Sequence, residues 1–128
     1  NTGSPHFVDF VHGLDAMDIV ALGRQIRFNE TYAAEGINVN FAEKTLEGLF
    51  VRTYERGVED ETLSCGTGVT AAALAWHISH LKSAGEFGIP VKTPGGELKV
   101  NFKFDMHQYS EVYLVGPALK VFEGVINI

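Results

Sequence analysis

The rhythm of hydrophobic and polar positions changes several times along the 128 residues. Residues 7–11 form a short apolar run that reads as a strand, closed by a His12-Gly13 turn. From Asp15, read as a helix cap, Ala16, Ile19, Leu22, Gly23 and Ile26 recur at helical spacing. Asp18 lies in the first turn and Arg24 and Arg27 near the end, in keeping with the helix dipole. That helix should pack one face only. Residues 37–41 alternate with period two, and residues 49–54, after Glu47-Gly48, are rich in β-formers; together they resemble a hairpin. Between residues 62 and 84, Val69, Ala71, Ala72, Ala73, Leu74, Ala75, Trp76, Ile78 and Leu81 predict a helix that is apolar on nearly every side and therefore buried, with Gly85 as its stop. Leu98, Val100, Phe102 and Phe104 alternate with polar residues after a Pro94-Gly95-Gly96 turn, and further β runs cover residues 111–115 and 119–128. Strands on both sides of one all-apolar helix predict an α+β fold, a curved, mainly antiparallel sheet wrapped around that central helix. No repeat, low-complexity tract or linker divides the chain, so residues 1–128 read as one domain.

Charge narrows the partners. The 16 acidic and 10 basic residues give a formal net charge of −6, with no Lys/Arg cluster. Nucleic acid and anionic membrane surfaces are thereby excluded as partners. One cysteine permits neither an internal disulfide nor a multi-thiolate metal site, which points to a reducing, cytoplasmic compartment. No apolar stretch approaches the roughly 20 residues that span a bilayer. The opening Asn1-Thr2-Gly3-Ser4-Pro5-His6, leading straight into an apolar run, reads as a chain that enters mid-fold, a domain cut from a longer protein.

Chemistry concentrates in Tyr54-Glu55-Arg56-Gly57-Val58-Glu59-Asp60-Glu61-Thr62-Leu63-Ser64-Cys65-Gly66-Thr67-Gly68, which runs from a strand end through a turn into the apolar helix. Cys65 then sits at the helix N-terminus, where unpaired N–H groups and the dipole favour thiolate over thiol. Gly66-Thr67-Gly68 exposes backbone N–H groups with little side-chain obstruction, which suits a carboxylate or phosphate. The plain alternative is a small buried hydrophobe for Cys65. The Gly-Lys-Ser/Thr ending of a phosphate loop is absent, so nucleotide binding is unsupported. Glu55 and Arg56, adjacent in an extended segment, point to opposite faces and do not pair with each other. His6 follows a Pro turn and also fits a structural role. His77 and His80, three apart on the helix, lack an acidic or thiol partner at zinc-like spacing and read as non-ligands; His12 and His107 read as loop residues.

Five segments in order now form a pattern: Gly3-Ser4-Pro5-His6-Phe7-Val8, Asn38-Val39-Asn40-Phe41, the stretch from Tyr54 to Gly68, Thr93-Pro94-Gly95-Gly96-Glu97-Leu98, and Gly116-Pro117-Ala118-Leu119-Lys120-Val121-Phe122-Glu123-Gly124. Together they resemble the C-terminal half of the diaminopimelate epimerase family, across essentially the whole chain. The resemblance implies two similar domains facing each other across a cleft, of which this chain supplies one, and it suggests a homodimer. It implies inversion of an amino-acid α-carbon, LL- to meso-diaminopimelate, with neither pyridoxal phosphate nor metal. It makes Cys65 one of two acid/base cysteines, the other coming from an N-terminal domain absent here. It further implies Gly66 and Thr67 N–H groups on the α-carboxylate, Arg56 on the distal carboxylate and Asn38 at the distal amino-acid end. Ser4 takes a polar substrate contact, and His6 and Glu55 tune the cysteines. Two departures stand out: Ser4 replaces the family's usual Asn, and the loop from Glu55 to Cys65 is one residue longer, with Glu59-Asp60 in place of a Gly. Two alternatives stay open: a proline racemase-like or phenazine-biosynthesis-like isomerase of the same fold, and a non-catalytic binding domain on the same scaffold.

Overall fold

The computed structural model describes residues 2–128; Asn1, and with it the expectation drawn from how the chain opens, lies outside the described residues. Seven strands and two α-helices follow in the order β1 (His6–Phe10), α1 (Ile19–Arg27), β2 (Asn38–Lys44), β3 (Leu49–Glu55), β4 (Asp60–Thr62), α2 (Gly66–His80), β5 (Gly85–Thr93), β6 (Gly96–Phe104) and β7 (Tyr109–Val115), with a 3₁₀ turn at Leu14–Ala16. They build one sheet in the order β1-β2-β3-β5-β6-β7, with β4 paired to β3. Pairing is antiparallel except for β1 with β2 and β3 with β5. The sheet curls around α2, which touches β1, β2, β3, β5 and β6, and the α+β expectation holds.

Two cores form because β2 and β3 are covered on both faces. Val69, Ala72 and Ala73 of α2 pack on Ala42, Leu49, Val51, Ile89, Val91, Val100 and Phe102. On the opposite face, Ile19 of α1 packs with Leu14, Ile37, Val39, Phe41 and Tyr54. Gly23 lets α1 lie against the Tyr54 side chain: a Cβ there would sit 2.4 Å from the Tyr54 Cβ. Double coverage explains why all of residues 37–41 are buried although their pattern alternates. The polar members Asn38 and Asn40 turn toward α2, and that face carries the site.

Several expectations need correction. Asp18, not Asp15, caps α1; its carboxylate accepts the Ala21 N–H at 3.0 Å, and the chain before it makes the 3₁₀ turn instead. The apolar helix is incompletely covered: Ala71, Leu74, Ala75 and Trp76 are half-buried, while Ile78 and Leu81 are exposed. The sheet wraps the first turns of α2 more fully than its end. That helix stops without Gly85. Lys82 takes the left-handed conformation (φ 52°) and its N–H bonds the His77 carbonyl, whereas Gly85 opens β5, a strand the pattern did not announce. Residues 119–128 pair with no strand, and Leu119, Val121, Phe122, Val125 and Ile126 lie exposed beyond β7 at the sheet edge. An apolar run identifies surface that wants covering, not the strand that would cover it.

Candidate active site

Strand register assembles the site before any side chain is placed. Parallel pairing of β1 with β2 sets His6 opposite Asn38 and Val8 opposite Asn40; antiparallel pairing sets Asn40 opposite Thr53. The N-terminus of α2 lands on this polar strip. Cys65 is the helix cap residue, in extended conformation and buried, and its side chain makes no capping hydrogen bond. It therefore presents sulfur beside the first-turn N–H groups of Gly66 and Thr67, which geometry leaves without intrahelical acceptors.

A hydroxyl connects the cysteine to the strip. Thr67 Oγ1 lies 3.6 Å from Cys65 Sγ, 3.0 Å from His6 Nε2 and 3.3 Å from Ser4 Oγ. Ser4 Oγ in turn lies 2.9 Å from His6 Nε2 and accepts from Asn38 Nδ2 at 3.3 Å. Burial pushes the titration of His6 down, opposed by the Glu55 carboxylate and reinforced by Arg56, with a lowered net result. Burial thus favours the neutral imidazole, whose single proton must reside on one nitrogen.

Asn38 knits three segments together. Its Oδ1 accepts the Arg56 N–H at 2.9 Å, while Nδ2 donates to Ser4 Oγ and to the Pro5 carbonyl at 3.2 Å. Glu55, the last residue of β3, and Arg56, the first of the turn after it, part ways: Glu55 accepts the Thr62 hydroxyl at 2.5 Å, and the exposed Arg56 donates through Nη1 to the Glu35 carbonyl at 2.7 Å. Ser4, His6, Asn38, Cys65 and Thr67 come together in one network, with Gly66 between the last two along the chain. Glu55 and Arg56 flank it. Beside it a cavity of about 550 Å³ is lined by Gly66, Thr67, Thr70, Leu74, Tyr109 and Leu114.

Within the loop, Glu59 has a structural job. It takes the left-handed conformation (φ 59°), which favours glycine and costs a non-glycine residue about 1 kcal/mol. Against that, its carboxylate accepts from Tyr54 OH at 3.0 Å, the Gly57 N–H at 3.0 Å and Arg27 Nε at 3.2 Å, which fastens the loop to α1. His77 and His80 are occupied elsewhere. His77 is fully buried among Phe87, Phe102, Phe104 and Tyr109, with Tyr109 OH on Nδ1 at 2.8 Å and the Ser83 carbonyl 3.1 Å from Nε2; His80 Nδ1 meets the Trp76 carbonyl.

Sequence reasoning gave no role to Asn40, Thr53 or Thr62, and gave Gly68 only an exposed backbone N–H. Asn40 is fully buried, and a Cβ on Gly68 would lie 2.2 Å from its Oδ1. A signal existed. Asn40 alternates with Val39 and Phe41, so it had to face whatever covers the other side of the sheet, and that is the buried helix.

Comparison with known proteins identifies the family. A family model described as diaminopimelate epimerase matches residues 1–121. Curated relatives named diaminopimelate epimerase include those of Flavobacterium psychrophilum, 44% identical over 98% of this chain and 49% of the relative, and Aquifex aeolicus, 46% identical over 99% and 44%. A third, from Archaeoglobus fulgidus, is 46% identical over 100% and 42%. The chain therefore spans about half the length of the curated relatives it matches. Among solved structures, a phenazine biosynthesis protein of the PhzF family from Bacillus anthracis superposes with a TM-score of 0.58 at 18% identity, covering 82% of this chain and 32% of that one. The PhzF family protein from Enterococcus faecalis gives 0.54 at 19%, covering 77% and 34%. At such identity these two establish a shared fold alone. With the family model covering nearly every residue, the chain belongs to the diaminopimelate epimerase family.

Proposed function

We propose that this chain is one lobe of a cofactor-independent, cytoplasmic amino-acid epimerase that interconverts LL- and meso-diaminopimelate, with Cys65 as the acid/base group on one face of the α-carbon. The observation that carries the reading is the position of Cys65, a buried thiol at the cap of α2 linked through Thr67 to His6. Inversion at carbon needs a proton removed from one face and another delivered to the opposite face, so two acid/base groups must flank the substrate. One cysteine serves one face. The second group belongs to a facing domain, which the greater length of the relatives leaves room for. Charge developing on the substrate is stabilised by donors aimed at its α-carboxylate, and the Gly66 and Thr67 N–H groups supply them without reorganisation. Arg56, with its planar fork of donors, holds the distal carboxylate, Asn38 and Ser4 take the polar contacts beside it, and His6 and Glu55 tune the acid/base cysteines.

The test is α-proton exchange in heavy water with the full-length protein. Wild type washes deuterium into diaminopimelate, and Cys65→Ala loses turnover by about 10³-fold or more, the scale of a missing acid/base group. Residues 1–128 alone give no turnover. Normal turnover in Cys65→Ala would end the proposal, and equal activity on a monocarboxylic amino acid would move the substrate away from a dicarboxylate.

A further inference from the structure

Beneath His6 lies a group that no step above uses. Asn40 is fully buried on β2 with every polar atom engaged: Nδ2 donates to the Phe7 carbonyl at 2.9 Å and lies 3.1 Å from His6 Nδ1, and Oδ1 accepts the Thr53 hydroxyl at 3.0 Å. The orientation of this amide is not a free choice. A backbone carbonyl can only accept, so the atom facing Phe7 O must be the amide nitrogen, and the same nitrogen faces His6 Nδ1. His6 Nδ1 is then an acceptor, and the proton of the neutral ring resides on Nε2. From there the donors run one way: His6 Nε2–H to Thr67 Oγ1, directly or through the Ser4 hydroxyl that lies 2.9 Å from Nε2 and 3.3 Å from Thr67 Oγ1, and the Thr67 hydroxyl to Cys65 Sγ. The opposite tautomer would press an N–H against the Asn40 NH₂ and reverse the chain, so that Thr67 accepted from the thiol instead of donating to the sulfur.

We propose that Asn40 is a positioning residue that holds His6 as the Nε2–H tautomer and thereby directs the Thr67 hydroxyl at Cys65 as a donor to its sulfur. Thr53 and Gly68 belong to the same device. Thr53 anchors Oδ1, and Gly68 leaves the space that Oδ1 fills, since a Cβ there would come within 2.2 Å of it. The charged groups facing His6, Glu55 and Arg56, act on its ionisation. Only Asn40 contacts Nδ1 among the hydrogen bonds of the described residues. The proposal rests on the reading of Cys65 as the reacting group, but its test requires no turnover.

Nitrogen-15 NMR of the histidine-labelled full-length protein reads the tautomer directly, with the His6 signal identified by its loss in His6→Gln. The expected result is a proton on Nε2 and a bare Nδ1 wherever the ring is neutral; a bare Nε2 overturns the proposal. The second readout is the rate at which iodoacetamide alkylates Cys65. Asn40→Ala slows it by about tenfold, the scale of one lost hydrogen bond to an anion, and has no further effect in a His6→Ala background. An equal slowing in both backgrounds means that Asn40 acts without His6, and the proposal falls. Should Asn40→Ala fail to fold, the wild-type tautomer still decides. An Nε2–H ring in a protein that exchanges no α-proton would refute the epimerase reading and leave the positioning role standing.

Discussion

Gly68 and Asn40 share one small volume, and the pair sets a limit on what either position can hold. A methyl group at position 68 would overlap the Asn40 amide oxygen and also come within 3.3 Å of Cys65 Sγ. Both neighbours are held, the first by Thr53 and the Phe7 carbonyl. Gly68→Ala should therefore destabilise the protein by about 2 kcal/mol, as overpacking of a tight interior does. Asn40→Gly, by vacating the space, should recover part of that loss in the double variant. Denaturant midpoints of the two single variants and the double one check the coupling; strict additivity would mean that the two residues do not meet in solution.

At the level of elements, the segment between β3 and β4 depends on Glu59. Burial pushes its carboxyl up, but the Gly57 N–H, the Tyr54 hydroxyl and Arg27 outweigh burial and hold it below the usual carboxylate range. The sign follows. A depressed carboxyl stabilises the folded state above its unfolded titration, and the contribution disappears as pH falls through the folded value. Glu59→Gln should flatten the acid limb of a stability-against-pH curve measured by denaturant unfolding; an acid limb that keeps its slope would show that the loop is held some other way. Little of this was legible beforehand. The sequence marked Glu59-Asp60 only as a departure from the pattern it resembles, whereas the loop's anchor on α1 requires Tyr54 and Arg27 to meet in space. The hairpin, α1 and the buried start of α2 were legible because their patterns are local and strong. Residues 119–128 misled because hydrophobicity along a strand-like run is silent about pairing. Cys65 was legible from its helix-start context; alternation set Asn40 on the face opposite Val39 and Phe41, but its role depends on which face of β2 the helix covers.

Over the whole molecule, the sheet is unevenly joined. Strands β5 and β6 pair through nine residue positions, and β2 with β3 through six, but β3 meets β5 only at Leu49 opposite Val91 and Phe50 opposite Lys92. Helix α2 bridges the two halves. Native-state hydrogen exchange should therefore resolve two cooperative units, with the backbone amides of β5–β7 opening at a lower free energy than those of β2 and β3. A single uniform opening energy across all strands would show that α2 welds the halves into one unit.

The narrow junction between β3 and β5 bears on how the molecule could tolerate wear. Ser4, His6, Asn38, Asn40 and Thr53 all lie on the β1–β4 side, and Thr67 ties the start of α2 to the same side. A seam that gives way transiently would leave those hydrogen bonds unbroken. Damage or substitution in the far half would then erode the lifetime of the folded protein well before it disturbed the arrangement around the sulfur.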